Sequence, residues 1–156
     1  MSSMTDAVDH ALLAALRDDG RRSITSLAEE LHLSRSAVHA RLGRLEEVGV
    51  LEGFAPVVDP AKLGGAIAAF VLLSAGPGAR LELEPLREHL HALPHVEYAA
   101  LVTGEADVLL LVRAGGLDEL RRFLLEDLRS VTGLRGNLTL LVLDEVIRRP
   151  FLLPGE

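Results

Sequence analysis

The sequence predicts an α+β protein in two parts, an all-helical part followed by a part that mixes strands and helices. Three observations lead to this prediction. Apolar residues before residue 53 recur at helical spacing, short apolar runs alternate with helical segments after it, and turn-forming residues cluster where the two patterns meet. The chain has 156 residues, of which 49% are hydrophobic, and this is enough for two small cores.

The composition excludes several kinds of site. The chain has no cysteine, which removes disulfides, thiolate metal ligands and cysteine nucleophiles. It has no Trp and only 3% aromatic residues, which argues against stacking platforms for single-stranded nucleic acid. A net charge of −7 excludes a uniformly basic surface but allows a local basic face. No signal peptide or membrane-length apolar run is present, so we expect a cytoplasmic protein that makes no membrane contact.

Three helices are predicted in residues 1–52, over residues 6–19, 26–32 and 35–48. Only two or three residues separate the second helix from the third. Such a short link forces the sharp crossing of a helix-turn-helix. The predicted N-caps of the three helices, all hydroxyl residues, are Thr5, Ser26 and Ser34, and Thr25 is an alternative cap for the second helix.

Residues 53–65 are predicted to form a wing and a linker. The segment from Val50 to Val58 is interpreted as a small hairpin, and Asp59-Pro60 is a turn signal. The first domain is therefore expected to be a winged helix-turn-helix.

Residues 66–156 are predicted to form a second domain with the order strand, helix, strand, strand, helix, strand. This order is typical of the ferredoxin-like βαββαβ fold. The tight turn Gly104-Glu105-Ala106 is expected to join the two middle strands. The predicted strands cover residues 66–73, 96–103, 107–113 and 137–146, and the predicted helices cover residues 80–92 and 117–131.

Two of the predicted strands are apolar on both faces. The runs Leu109–Val112 and Leu140–Leu143 lack the alternation expected of a sheet that has one wet face. Leaving the second face in water would expose a larger apolar patch than monomers normally tolerate. We therefore expect a second copy of the chain to cover it in a homodimer. The alternative is that the wing or the first domain covers it within one chain.

A local excess of arginine marks the predicted helix-turn-helix. Between Arg21 and Arg44 there are five arginines and two glutamates. The start of the third helix is the part expected to meet base edges in the major groove, and the other arginines suit phosphate contacts. The alternative is a solvated face of Arg–Glu pairs. The candidate DNA-binding residues, all in or beside this motif, are Arg21, Arg22, Ser34, Arg35, Ser36, His39, Arg41 and Arg44.

Motifs for enzyme chemistry are missing from the sequence. It has no dinucleotide-binding, phosphate-binding-loop or His-Glu-x-x-His pattern, so we expect no catalytic residue, no metal and no cofactor. His89, His91 and His95 are close in sequence, but the first two would point about 200° apart on a helix. They are interpreted as surface histidines.

The run from Leu33 to Leu51 resembles the helix-turn-helix core of the leucine-responsive/asparagine-regulator (Lrp/AsnC) family. The resemblance lies in the Leu-Ser start, the central Val38, the Arg-Leu and Leu-Glu pairs and the Gly-Val-Leu exit. Gly43 departs from the pattern, because the family usually carries a basic or polar residue there. Leu134-Arg135-Gly136 also departs, because a Pro-Gly-Val-like turn is common there. The resemblance continues, in the family's order, at Gly53-Phe54, Asp59-Pro60, Gly104–Asp107 and Asp144–Val146.

The resemblance implies a sequence-specific transcriptional regulator that binds double-stranded DNA and has an AsnC-type effector-sensing domain. Such proteins form dimers that often assemble into octamers or open helices. Their small effector, typically an amino acid, lies near a Gly-x-x-Asp turn, with residues 134–136 expected beside it here. The effector-binding residues implied in this sequence are Tyr98, Val102, Thr103, Gly104, Glu105 and Asp107.

Three alternatives stay open at this point. The turn could be a simple β-turn in which Asp107 caps local backbone N–H groups. Siroheme decarboxylase subunits resemble the same family, so a tetrapyrrole enzyme is a second hypothesis for the whole chain. A third is a partner-binding ferredoxin-like module with a vestigial first domain.

Overall fold

The computed structural model describes residues 4–76, 82–131, 133–146 and 150–154. The chain divides into two compact units. The helical unit comprises Met1–Val57 and Ile147–Glu156, and the sheet unit comprises Val58–Val146. The division falls inside the predicted linker, but the sequence did not predict that the last residues group with the helical unit. None of the helices in the described ranges has the length and apolar composition needed to cross a membrane.

Three helices build the helical unit, namely α1 (Ala7–Asp18), α2 (Ile24–Glu30) and α3 (Arg35–Glu47). Leu12, Leu27, Val38 and Leu45 have no exposed surface and form the centre of the core. Four residues, 31–34, link α2 to α3. The helix-turn-helix predicted from the short link is therefore present.

The N-cap of α1 is Asp6 rather than the predicted Thr5. The Asp6 carboxylate accepts a hydrogen bond from the Asp9 backbone N–H at 2.8 Å, and the Asp9 carboxylate accepts one from the Asp6 backbone N–H at 2.9 Å. This reciprocal pair is a capping box built from two aspartates. A carboxylate is the stronger cap because its charge also interacts favourably with the helix dipole.

The N-cap of α2 is Ser23, so the predicted cap, Ser26, lies inside the helix. The Ser23 hydroxyl accepts a hydrogen bond from the Ser26 backbone N–H at 3.1 Å, which lets the helix begin earlier than the apolar pattern indicates. Ser34 caps α3 as predicted, and its hydroxyl accepts from the Ala37 backbone N–H at 3.1 Å.

The predicted wing is not formed. Residues 51–59 are all described and contain no strand. Pro56 has no N–H to donate to a ladder, and an isolated two-stranded ribbon is marginal in water. Phe54 and Val57 are 59% and 82% exposed along this segment. A 3₁₀ turn over Pro60–Leu63, capped by the Asp59 carboxylate, begins the sheet unit.

The sheet unit has the predicted ferredoxin-like fold. Its four antiparallel strands lie in the order β2-β3-β1-β4, and its helices pack on one face. A 3₁₀ turn, Asp127–Ser130, follows the second helix, so the helix predicted to reach residue 131 ends early. The elements are β1 (Ile67–Ala75), α4 (Leu83–Ala92), β2 (Val96–Leu101), β3 (Val108–Ala114), α5 (Leu117–Leu125) and β4 (Leu134–Leu141).

The last strand begins three residues earlier than predicted. Residues 134–136 belong to β4 because they continue the ladder with β1, in which Ala75 is paired with Leu134. The start of the predicted helix over residues 80–92 falls partly on residues 77–81, which lie outside the described residues; α4 begins at Leu83.

The core of the sheet unit lies between the sheet and its helices. Val71, Leu110 and Val112 point to this side and have no exposed surface. Phe123 of α5 and Leu90 of α4 pack on them. Burial alternates strictly along β3, which shows that the two faces of the sheet differ.

The other face of the sheet is apolar and partly exposed. Phe70 is 38%, Leu138 56% and Leu140 48% exposed. The strand register pairs Phe70 with Leu111 and Leu140, and Leu72 with Leu109 and Leu138, so these side chains form one continuous surface. This surface, named the sheet face, consists of Phe70, Leu72, Leu109, Leu111, Leu138 and Leu140.

The C-terminal residues pack on the helical unit. The guanidinium of Arg17 in α1 lies 5.5 Å from the centre of the Phe151 ring, in a cation–π arrangement. Leu153 is partly buried against the helical core. The core of this unit therefore contains residues from both ends of the chain.

Candidate functional site

The first two turns of α3 form the candidate nucleic-acid interface. Val38 and Leu45 are turned into the core, whereas Arg35, Ser36 and His39 are exposed. The Ser34 and Ser36 hydroxyls lie 3.0 Å apart at the start of the helix. A capped helix with donors exposed on its first turns can place them against base edges in a major groove.

The arginines before α2 differ from one another. Arg22 forms an ion pair with Glu30 at the end of α2. Arg21 is exposed, and its backbone N–H donates to the Asp19 carboxylate at 2.9 Å. Within the described part of the chain, the guanidinium groups of Arg21 and Arg35 have no ion-pair partner, so both are available for phosphate contacts.

The guanidinium groups of Arg41 and Arg44 are bound to acids of the helical unit. Arg41 Nη1 donates to Asp9 Oδ1 at 2.7 Å and to Asp6 Oδ2 at 2.8 Å. Arg44 Nη2 donates to Asp9 Oδ2 at 2.5 Å, and its Nη1 donates to the Met4 carbonyl oxygen at 2.8 Å. The four charged residues are named the α1–α3 cluster. The phosphate contacts predicted for Arg41 and Arg44 stay a prediction.

The electrostatics of the α1–α3 cluster favour its charged form. The Asp9 backbone N–H and then the Arg41 side chain lower the pKa of Asp6 to about 2. Burial alone would raise the pKa of Asp9, but the Asp6 backbone N–H and the two arginines outweigh it and lower the pKa. Hydrogen bonds to Asp6 and Asp9 raise the pKa of Arg41. The cluster therefore stays ionised at neutral pH.

The candidate effector turn follows β2. Gly104 has a φ of 128°, a conformation that favours glycine. The Asp107 carboxylate accepts a hydrogen bond from the Ala75 backbone N–H at 2.7 Å, and the Asp107 backbone N–H donates to the Leu73 carbonyl oxygen at 2.9 Å. The Ser74 hydroxyl donates to the Glu105 carbonyl oxygen at 2.9 Å. The turn is thus held by hydrogen bonds to the end of β1, and the backbone N–H group that Asp107 caps is that of Ala75.

The structure brings together two of the stretches that the sequence assigns to the effector site. Ala75 contacts Asp107 and is also paired with Leu134, so residues 102–107 and the start of β4 lie at the same end of the sheet. Val102, Thr103, Gly104 and Glu105 are exposed there. Tyr98 is paired with Leu111 of β3 and is 56% exposed.

Sequence reasoning missed a cavity and a charged group in the sheet unit. The cavity, of about 600 Å³, lies between α4 and β2, and Tyr98 and His91 are among its lining residues. Arg113 binds Glu145 at 2.5 Å and also binds Glu97. In the sequence, Glu145 stands out only through the family resemblance, because its partner Arg113 is far away along the chain.

Two of the three histidines of the sheet unit, His89 and His95, have individual partners. His89 Nε2 lies 3.0 Å from the Ser130 hydroxyl, and His95 packs edge-on against Phe123 with ring centres 6.1 Å apart. Among the described side chains, no group of three or more His, Asp or Glu is placed to hold a metal ion.

A helix-turn-helix joined to a ferredoxin-like domain with a tied, exposed turn is the architecture of a DNA-binding regulator that carries a ligand-binding domain. Residues 6–46 match the AsnC-type helix-turn-helix domain, and residues 68–152 match the Lrp/AsnC ligand binding domain. The chain belongs to the Lrp/AsnC family of transcriptional regulators, as the resemblance in its sequence predicts.

Relatives with similar sequences carry regulator names. An uncharacterized HTH-type transcriptional regulator of Pyrococcus abyssi is 35% identical over 134 residues, which are 86% of this chain and 83% of the relative. The HTH-type transcriptional regulator AldR of Mycolicibacterium smegmatis is 32% identical over 141 residues, which are 90% of this chain and 82% of the relative.

Solved structures resemble the whole chain. A Neisseria meningitidis transcriptional regulator, solved as a complex with L-Met, has a TM-score of 0.87 and 26% identity, and the match covers 97% of both chains. The leucine response regulatory protein LrpA of Mycobacterium tuberculosis has a TM-score of 0.81 and 28% identity, and the match covers 96% of this chain and 100% of LrpA.

Proposed function

We propose that this regulator binds double-stranded DNA sequence-specifically through the first two turns of α3 and that a small effector changes its DNA binding. The observation that carries the proposal is the exposed group of Arg35, Ser36 and His39 on a capped helix whose other side is packed into the core. Arg21 and Arg35 supply phosphate contacts, and Ser36 and His39 face the base edges. Binding to chromosomal DNA places the protein in the cytoplasm.

The effector is an amino acid or a related metabolite bound at the turn formed by residues 102–107. The exposed backbone N–H groups around Gly104 suit a carboxylate, and a carboxylate oxygen of Asp107 suits an ammonium. Asp107 uses one oxygen for the Ala75 N–H, which fixes the orientation of the other. The L-Met complex of the Neisseria meningitidis regulator supports this class of effector.

The DNA-binding species is a homodimer that buries the sheet face. Covering ~400–600 Å² of apolar surface on each copy contributes about 10–15 kcal/mol per copy before the costs of association. Two copies related by a twofold axis present two α3 helices and therefore favour a pseudo-palindromic operator. Further assembly into octamers or open helices gives the effector turn a neighbouring dimer to bridge.

The experiment that tests the proposal is genomic footprinting of the full-length protein, followed by titration of the recovered sites with each proteinogenic amino acid. Recovery of a pseudo-palindromic site whose affinity changes with one amino acid is the expected result. Failure to bind any genomic duplex at low ionic strength would refute the proposal. A Soret absorbance in the purified protein would instead support the tetrapyrrole enzyme, which the regulator names of the relatives disfavour.

A further inference from the structure

Asp9 is a buried charged residue that the proposed function does not use. Among the described residues it is the polar side chain with no exposed surface, and it lies on α1, away from the exposed side of α3. Burying a carboxylate costs several kcal/mol unless it is paired and hydrogen-bonded. Its partners therefore indicate why the chain carries an acid at this position.

Both oxygens of Asp9 are occupied by groups that hold α3. Oδ1 accepts from Arg41, and Oδ2 accepts from Arg44 and from the Asp6 backbone N–H. The two arginines are one turn apart on α3, so a single carboxylate binds side chains from the last two turns of the helix. Asp6 adds a second acceptor to Arg41 at 2.8 Å.

We infer that Asp9 is a positioning residue for DNA recognition: it fixes α3 on α1 through Arg41 and Arg44 and keeps both arginines away from the phosphates. The inference rests on the proposed function, because it concerns the helix that contacts DNA. It restricts the contact surface to the first two turns of α3, which include Arg35, and to Arg21.

The charge balance supports this assignment. The α1–α3 cluster contains two arginines and two aspartates, so its net charge is 2 − 2 = 0 and it adds no net positive potential for DNA. A phosphate that took Arg41 away would leave the Asp9 carboxylate buried without that partner. Removing one partner of a buried ion pair is destabilising, so exchanging Asp9 for a phosphate is unfavourable for Arg41.

The salt dependence of DNA binding distinguishes an arginine that contacts a phosphate from an arginine that holds α3 on α1. The probe is a random-sequence duplex of about 30 base pairs, and its affinity is measured between about 50 and 200 mM salt. Arg35→Gln is expected to lower the slope of log K against log salt by about 0.9, which is the value for one lost phosphate contact. Arg41→Gln is expected to weaken binding and leave the slope at the wild-type value. A drop in slope for Arg41→Gln equal to that of Arg35→Gln would overturn the inference.

Hydrogen exchange of the full-length protein without DNA tests the positioning role directly. Asp9→Asn keeps the shape of the side chain but replaces one acceptor oxygen with a donor, so one arginine loses its partner. Amides 41–47 of α3 are expected to exchange about tenfold faster or more, while those of α2 keep their protection. Asp18→Asn is the matched control, because the Asp18 side chain is 75% exposed on the same helix.

The two measurements keep the inference and the proposed function distinguishable. Unchanged protection of α3 in Asp9→Asn refutes the positioning role, whatever the protein binds. Should Asp9→Asn fail to fold, Asp6→Asn, which removes only the second acceptor of Arg41, is expected to show the same change confined to residues near 41. A third outcome is that the wild-type protein binds no duplex while Asp9→Asn still loses the protection of α3. This outcome refutes the proposed function and leaves the positioning role in place.

Discussion

Single side chains in the helical unit serve more than one element at a time. Asp6 and Asp9 cap α1 with their carboxylates and also bind the arginines of α3. The capping box holds the two carboxylates in place before the arginines reach them, so little side-chain entropy remains to be lost on pairing. The stability of the helix-turn-helix therefore depends on the charge state of its first turn.

The first prediction concerns acid stability. The pKa of Asp6 is about 2 in the folded chain against an ordinary 3.8, and that of Asp9 is also lowered. A carboxyl with a lowered folded pKa stabilises the fold above its unfolded pKa, and this stabilisation is lost as the pH falls through the folded pKa. The melting temperature of the helical unit is therefore expected to fall between about pH 4 and pH 2. Asp6→Asn should flatten this part of a thermal-melting profile, and an unchanged profile would contradict the prediction.

The second prediction concerns Asp107. Asp107→Ala removes the proposed ammonium partner and the tie to the Ala75 N–H, so the effector response should be lost. DNA affinity without effector should stay within about a factor of two, because the substitution lies outside the helical unit. Titration calorimetry with the effector and a DNA-binding assay measure the two properties. Asp118→Ala, at an exposed position of α5 outside this turn, is the control and should keep the response. A retained response in Asp107→Ala would remove this residue from the site.

At the scale of elements, the C-terminal segment is part of the helical unit although it follows the last strand of the sheet unit. Phe151 packs on Arg17, and Leu153 packs on the helical core. The hydrophobic core of the helix-turn-helix is thus formed by its three helices together with the C-terminal segment.

The third prediction tests this packing. Leu153→Ala is expected to lower the free energy of unfolding of the helical unit by about 1–2 kcal/mol, because Leu153 is only partly buried. Chemical denaturation followed by far-UV circular dichroism measures it. Leu152→Ala is the matched control, since Leu152 is 58% exposed and should change stability little. Equal effects of the two substitutions would show that the packing of Leu153 is unimportant.

The sequence predicted the elements well where the pattern is local. The order βαββαβ and the helix-turn-helix follow from periodicity and from Ser34 and Gly49 at the ends of α3, and the structure confirms them. The prediction of a wing was wrong because the apolar run contains Pro56, which interrupts the hydrogen-bond ladder of a hairpin. The Arg41–Asp9 contact could not be predicted, since its partners are 32 residues apart and an Arg–Glu pair on the same helix was equally plausible.

At the scale of the whole molecule, the sheet face is the feature that a single copy leaves unexplained. Its leucines and Phe70 lie opposite the side covered by α4 and α5, and they remain partly exposed. The apolar pattern that predicted this surface was visible in the sequence, but the sequence could not show which side the helices cover.

The fourth prediction tests the homodimer. Leu140→Asp places a charge in the sheet face, on its edge strand β4, and burying this charge without a partner is expected to weaken dimerisation by about 100-fold or more. Sedimentation equilibrium measures the dissociation constant. Leu117→Asp is the control, because Leu117 is 63% exposed at the first position of α5, where an acid suits the helix dipole. A dimer of unchanged affinity in Leu140→Asp would show that another surface joins the copies.

The return of the chain's last residues to the helical unit has a consequence for biosynthesis. Domains generally fold in order as they leave the ribosome, the N-terminal one first. Here Leu153 packs on a core that contains Leu12, so the nascent helix-turn-helix stays incompletely packed until residue 153 has left the ribosome. The sheet unit, Val58–Val146, is whole before that moment. In the proposed homodimer, the surface that joins the copies is therefore complete before the proposed DNA-binding core is.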